Sequence, residues 1–495
     1  MRSVSRLSFI LACAVTADLA AAFFPLSSSP RAIDAQQIAA GAVPIDFSGA
    51  YAPRAYSFLR DAVGSASVVE LGESIHVTAE FPLARLQFIR YLHEEMGFDV
   101  LALEGSLTQA WLAQEYLYRS QDSEEDRIDR AQQFAWFKLW NTVQMREVMA
   151  YVEASQRTER PLYLTSFDVQ TGASAEFGMT PAVLETLADS VETFGHPPPD
   201  IHLTKNDLVT ALSPVVQCEI GNPAGLGAAT ARAMTAIDGL QRWIDAITPT
   251  VGRSRPAAHL AALRLVPDNL RDHATLCEHA TSWQATRDEL NAENALMLRD
   301  QVSSSHKIVL WAHHSHVSYN STRARVPSMG QHIRDKINGS VYTIGLFAGS
   351  GRFIDVAPLS VHELPALNKV GVERLLAAAG PPSFFVNLRS LPTTDPLSGW
   401  LVPLRSRMEG RWTRSTVLAR DFDGAVYLER VNPGTGMMSN GAVTALRIFG
   451  FFVDHAVGAF IVTIGVALSM VASAVRFVRR RRKFWARDTI FPHPM

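Results

Sequence analysis

Short, unbroken apolar runs constrain this chain more than any other feature. Residues 67–71 (SVVEL), 99–103 (DVLAL), 162–167 (LYLTSF), 307–311 (KIVLW), 341–346 (VYTIGL) and 384–388 (FFVNL) form six of them, and 425–428 (AVYL) offers a seventh. They show little polar/apolar alternation, as strands buried on both faces do. Between several of them the period changes. Residues 80–96 place Phe81, Ala84, Phe88, Tyr91 and Leu92 at helical spacing and stop at Gly97; residues 145–155 and 290–302 behave similarly. Strand–helix–strand alternation predicts an α/β fold, a largely parallel β-sheet flanked by helices. Residues 172–285 interrupt the rhythm with Pro197, Pro198, Pro199, Pro214 and Pro223 and otherwise read as helical. They are expected to form a helical insertion within a domain spanning residues 31–430.

The two ends carry an address. Residues 1–30 start with Arg2 and Arg6, continue through an apolar stretch from Leu7 to Phe24 broken by Thr16 and Asp18, and close on Ala20, Ala21 and Ala22. This is the pattern of a secretory signal, with an uncleaved N-terminal anchor as the alternative. After a linker at 431–447, residues 448–475 are expected to form a transmembrane helix. Its last twenty residues, from Ala456 to Val475, contain no charge. At 1.5 Å per residue they cover about 30 Å, the thickness of the hydrocarbon layer. Arg476, Arg479, Arg480, Arg481, Arg482 and Lys483 follow. Such a cluster stays on the cytoplasmic side, so residues 476–495 form a basic cytoplasmic tail and the main domain is exported.

The composition of the 495 residues, 47% hydrophobic and 19% charged, excludes a disordered or low-complexity chain. A net charge of −2 argues against nucleic acid as a partner. Outside the leader, with its Cys13, the cysteines are Cys218 and Cys277. In an oxidising compartment they could close one disulfide, stabilising the fold by about 4 kcal/mol on the chain-entropy view. Two buried free thiols are the alternative.

Four of the strand-like runs lead into titratable residues: Glu73 and His76, Glu104, Asp168, and His313, His314 and His316. In an open parallel sheet the carboxyl ends of the strands share one edge, where ligand crevices form. Residues distant in sequence would converge there, with carboxylates and imidazoles able to supply a base, its orienting partner and a proton donor. Trp136, Trp140 and Trp311 read as packing residues.

These blocks resemble the signature of the erythromycin esterase family. Gly72-Glu73-Ser74-Ile75-His76 followed by Glu80-Phe81 and Arg85 is similar to its G-E-x-x-H-G…E-F…R motif. Residues 97–105, Trp140-Asn141-Thr142, residues 166–170, Arg287-Asp288 with Ala292-Glu293-Asn294, and the Trp311-Ala312-His313-His314-Ser315-His316 block continue the match, as do Met329-Gly330 and residues 342–345. Val77 stands where the family has Gly, and His314 where it has Asn. The 172–285 region matches poorly. The family is named for members that open a macrolide lactone.

The resemblance implies an α/β fold with its cleft at the strand ends, and ester hydrolysis by an activated water without a required cofactor. By motif position His76 would be the general base, with Glu73 and Glu104 orienting it or the water. Arg85 would counter carboxylate charge or the developing oxyanion, and His313 and His316 would act as proton donors or oxyanion stabilisers. Asp168 and His314 are assigned to substrate binding. The expected partner is a small-molecule ester or lactone. A neutral imidazole, with an ordinary pKa of about 6.5, can take a proton from water near neutrality, and no Ser nucleophile is needed. The chain lacks a G-x-S-x-G elbow in strand–turn–helix context. Two alternatives use the same residues: a hydrolase in which His76, His313, His316 and the glutamates hold a divalent metal such as Zn²⁺, and a catalytically silent protein that binds a small ligand.

Overall fold

The computed structural model describes residues 31–118, 121–135, 141–171, 179–218, 227–251, 255–278, 283–319, 326–337, 339–355 and 360–436. Residues 1–30, 448–475 and 476–495, where a signal segment, a transmembrane helix and a basic tail are expected, lie outside them, as do Trp136 and Trp140. Among the described residues no helix is long and apolar enough to cross a membrane.

The apolar runs form the strands of one sheet. In chain order these are β1 (Ala42–Pro44), β2 (Val68–Glu73), β3 (Val100–Ser106), β4 (Tyr163–Asp168), β5 (Ile308–His313), β6 (Val341–Asp355), β7 (Ser360–Glu363), β8 (Ser383–Asn387) and β11 (Gly424–Val431). The spatial order is β1-β8-β11-β6-β2-β5-β3-β4, with β7 paired to β6. From β11 to β4 every neighbouring pair is parallel, whereas β8 runs antiparallel to both β11 and β1. The sheet is therefore mixed but mostly parallel. β2, β3, β4 and β5 are buried at every position, which is why their sequences run apolar without alternation.

Four strands were not foreseen: β1, β7 and the separate hairpin of β9 (Leu404–Met408) and β10 (Trp412–Thr416). β1 and β7 are too short for a pattern. The hairpin reads LRSRM and WTRST, so its arginines and hydroxyls mask any apolar run.

Helices cover the sheet. α1 (Glu80–Met96) buries Phe81, Ala84, Phe88 and Leu92 and ends at Gly97, whose φ of +75° suits a residue without Cβ. α2 (Leu107–Leu117) and α3 (Val143–Ser155) follow β3, each started by a capping hydroxyl, from Ser106 and Thr142. Over residues 181–278 run α4 (Pro181–Glu192), α5 (Lys205–Val216), α6 (Gly227–Val251) and α7 (Ala257–Glu278), and α8 (Trp283–Met297) leads back to β5.

Cys218, just beyond α5, is joined to Cys277 of α7 as a disulfide with Cα atoms 6.3 Å apart. Beside it the buried His273 accompanies Thr171, which donates to the Val216 carbonyl at 3.0 Å. The bond thus ties two insertion helices beside the segment leaving β4.

Residues 432–436, within the expected linker at 431–447, pack against residues 77–80, the loop that follows β2 and the start of α1. The Ala79 N–H donates to Asn432 O at 2.8 Å, Gly434 N–H to Val77 O at 3.0 Å, and Asn432 N–H to the Glu80 carboxylate at 2.7 Å.

Opening the Cys218–Cys277 loop removes a 59-residue closure. Paired Cys218→Ala and Cys277→Ala substitutions should destabilise the fold by about 2–4 kcal/mol. Urea unfolding checks this, and an unchanged midpoint would show that the bond contributes nothing.

Candidate active site

The carboxyl edge of the sheet gathers the titratable residues because the strand ends are level. Glu73 of β2 is the register partner of His313 of β5. β3 carries an extra residue between Leu103 and Ser106 relative to β4, and this irregularity is where Glu104 lies. Gly72 is required by close approach: a Cβ there would lie 2.8 Å from side-chain atoms of His314 and Val317.

Glu73 divides its carboxylate between two partners. Oε1 accepts from His76 Nδ1 at 2.6 Å and Oε2 accepts from Arg85 at 2.6 Å. Arg85 is fully buried, stacks 4.3 Å from the Trp311 ring centroid and donates to the Ala312 carbonyl. It therefore serves carboxylate charge from beneath rather than facing an oxyanion.

The rings of His76 and His313 lie 4.8 Å apart, centroid to centroid, although 237 positions separate them in sequence. Their hydrogen bonds assign opposite tautomers. His76 Nδ1 donates to Glu73, leaving Nε2 as the lone-pair nitrogen of the neutral ring. His313 Nδ1 accepts the Ser315 backbone N–H at 3.2 Å, with the Ser315 hydroxyl at 2.8 Å, so its proton resides on Nε2. That nitrogen faces only acceptors among its contacts, Glu409 Oε1 at 2.8 Å and the Ser74 carbonyl at 3.4 Å.

Glu409 carried no sequence signal. It lies in the turn of the β9–β10 hairpin at φ +50°, a left-handed conformation uncommon for a residue with a side chain. Its N–H donates to the Ser74 carbonyl at 2.8 Å, and Oε1 lies 3.3 Å from His76 Nε2. The hairpin is held there by Arg407, which donates to the carbonyls of Ala348 and Gly349 in β6 at 3.0 and 2.9 Å. Val77 also has a left-handed φ, +51°. This accounts for glycine as the residue that suits the position; here the Gly434 N–H donates to the Val77 carbonyl and ties the backbone at this residue.

The remaining expected residues form a supporting layer. Glu104 Oε2 accepts the His313 backbone N–H at 2.8 Å, while Oε1 meets His316 Nε2 at 3.2 Å and Arg287 at 3.3 Å. With both oxygens engaged, Glu104 fixes the His313 backbone and acts on His76 through its charge. His316 is clamped between Glu104 and Asp288, so it anchors carboxylates rather than facing a substrate.

Asp168, expected to bind substrate, is fully buried and takes the Arg287 guanidinium and the Gln170 N–H. His314, also expected to bind substrate, is fully buried between Phe347 and Phe422, with ring centroids 4.8 and 4.7 Å away. Its ring nitrogens have no hydrogen-bond partner among the described residues. Neither can touch a ligand without moving. Arg287 and Asp288 lie on α8, whose Asn291 and Asn294 cap backbone groups of Val169 and Phe167. The Arg287-Asp288 pair was visible in the sequence as a motif, but its role depends on this docking.

Burial opposes charge on His76, yet Glu409, then Glu73 and Glu104, outweigh it and raise its pKa to about 9. Burial likewise opposes charge on His316, and Asp288 and Glu104 raise it to about 10. Burial would push Glu409 up, but His76 and His313 hold it down at about 2. Burial, with Arg414, His313 and Arg85 adding to it, keeps His314 neutral.

His76, His313 and Glu409 place donor atoms within 4.8 Å of one another, a grouping that a divalent cation could use. The Ser315–His313 bond puts a proton on one of those atoms, so a cation there would first have to remove it. A second grouping, Cys218, His273 and Cys277, has its sulfurs joined to each other.

Imidazoles of opposite tautomer facing each other at the carboxyl edge of a parallel sheet define an α/β protein with an acid–base site. Comparison with known proteins gives the family. Residues 93–431 match the erythromycin esterase family. "Putative hydrolase YbfO" of Bacillus subtilis (strain 168) is 24% identical over 444 residues, covering 83% of this chain and 95% of that protein. Erythromycin esterase type I of Escherichia coli is 24% identical over 305 residues, 57% of this chain and 70% of the relative. Among solved structures, a Bacillus cereus protein superposes with a TM-score of 0.63 at 16% identity, covering 82% of this chain and 99% of its own. The erythromycin esterase EreC, solved as a mutant in its open conformation, gives 0.54 at 19% identity over 83% and 99%. The chain belongs to the erythromycin esterase family.

With Glu409, Glu73 and Glu104 in place, His76 should lose its ring proton near pH 9. In Glu409→Gln, with the largest attractive charge removed, the transition should move to lower pH. NMR titration of the histidine ring protons reads both values, and an unmoved His76 transition would remove Glu409 from its electrostatics.

Proposed function

We propose that this chain is an exported, membrane-tethered hydrolase that opens an ester or lactone bond by direct attack of water. The observation that carries the reading is the pairing of the two rings, 4.8 Å apart, with Nδ1 of His76 engaged by Glu73 and Nδ1 of His313 accepting from Ser315: once His76 has lost its second proton, its Nε2 offers a lone pair beside the Nε2 proton of His313. In the reactive state neutral His76 takes a proton from water as the oxygen attacks the acyl carbon. Glu73 holds the ring orientation and stabilises the imidazolium that forms. His313 donates to the acyl oxygen as negative charge develops on it, a term often worth several kcal/mol. When the tetrahedral species collapses, the C–O bond to the alcohol breaks and His76 returns its proton to the leaving oxygen. Arg85, stacked on Trp311, holds Glu73 in place.

Substrate choice is left to the cleft walls. The erythromycin esterase relatives support a lactone or ester, and the departures at Val77, His314 and residues 172–285 argue against assuming a macrolide. His76→Gln should reduce hydrolysis by at least about a hundredfold, the scale of general-base catalysis, with the fold retained. Full-length protein in detergent, screened on lactones, acylated sugars and lipid esters, checks it. Turnover at the wild-type rate in the variant would remove His76 from the mechanism.

Tethering rests on the uncharged residues 456–475, the six cations that follow, and the signal-like N-terminus. A disulfide suits an oxidising compartment. A reporter fused after Met495 should report the cytoplasm, and one inserted near Ser340 the exported side. The reverse pattern would overturn the topology.

A further inference from the structure

Glu409 stands where the reaction must occur. Its Oε1 lies 2.8 Å from His313 Nε2 and 3.3 Å from His76 Nε2, between the two nitrogens that the mechanism assigns to the acyl oxygen and the attacking water. Hydrolysis of an ester adds the water oxygen to the acyl carbon, releases the alcohol with one of the water protons, and leaves an acid that gives up the other proton to solvent as a carboxylate. The product carboxylate therefore carries one oxygen near each of those nitrogens. Glu409 brings a group of the same chemistry to the same place.

Exposure falls inward from this side chain. Glu409 is 26% exposed, His76 13% and His313 4%, so Glu409 is the outermost group over the paired rings. Its anchorage differs from that of its neighbours. The other carboxylates of the cluster come from sheet strands or α8, whereas Glu409 comes from a hairpin turn at φ +50° whose N–H rests on the Ser74 carbonyl. A carboxylate delivered on a turn can be withdrawn without dismantling the sheet.

We infer that the space between His76 and His313 is a monocarboxylate subsite, that Glu409 occupies it as an internal stand-in for the acyl product, and that substrate binds by displacing it. This rests on the hydrolase reading for the identity of the reacting atoms. The binding claim itself requires only the geometry. A tethered carboxylate competes with free ligand at an effective concentration of millimolar order or above, so it weakens every carboxylate ligand of the site.

The test is calorimetric titration of acetate into the full-length protein in detergent at constant pH, with wild type, Glu409→Ala and Glu409→Gly. The glycine variant tolerates the left-handed turn, so it keeps the test decisive should alanine disturb the hairpin. Acetate should bind both variants about tenfold or more tightly than wild type, and His313→Ala added to either should abolish the gain. Equal binding in all proteins, binding in none, or a gain that survives His313→Ala would overturn the inference. Tighter acetate binding in a protein that turns over no ester would leave the subsite standing and reject the proposed reaction.

Discussion

The site depends on one buried carboxylate. Glu73 ends the central strand β2 and shares its oxygens between Arg85 and His76. Burying a carboxylate is costly unless it is paired and hydrogen-bonded. Arg85 meets that requirement from within α1, itself fixed by Phe81 and Phe88 against the core. What emerges on the solvent side is a histidine whose proton position is decided by packing rather than by chance.

Around this unit the molecule builds a second, larger charge lattice. Glu104 joins His316 and Arg287, Asp288 holds His316, and Asp168 holds Arg287. The lattice spans β3, β4, α8 and the turn after β5, so sheet and helices lock one another. Its outcome for chemistry is the backbone N–H of His313, held by Glu104, and the short turn that sets the His313 tautomer through Ser315. Residues that look catalytic by type thus divide in two. His76, Glu73 and His313 frame the space between the paired rings. Glu104, Arg85, His316 and Asp168 set the geometry from behind.

Glu409 and residues 432–436 add a second influence from late in the chain. The hairpin touches Ser74 and both imidazoles, and residues 432–436 hold the loop after His76. The loop is therefore controlled from outside the sheet, by segments that follow β8 in sequence.

Seven strands of the main sheet, the helices between them and the gathering of Glu73, Glu104, Asp168 and His313 on one edge were legible in the sequence. Burial on both faces leaves an apolar run, and parallel connections put every carboxyl end on the same side. Glu409 was not legible: a lone glutamate in a turn has no periodicity, and only the docking of Arg407 on β6 brings it to the rings. Nor was the fate of His314, adjacent to His313 but turned between two phenylalanines. The sequence by itself determined the sheet, its order of residue types and the family motif, because those follow from local patterns of burial. The tertiary structure alone decided which nitrogens carry protons and which carboxylates face the cleft, because a tautomer is set by partners that the chain brings together only on folding.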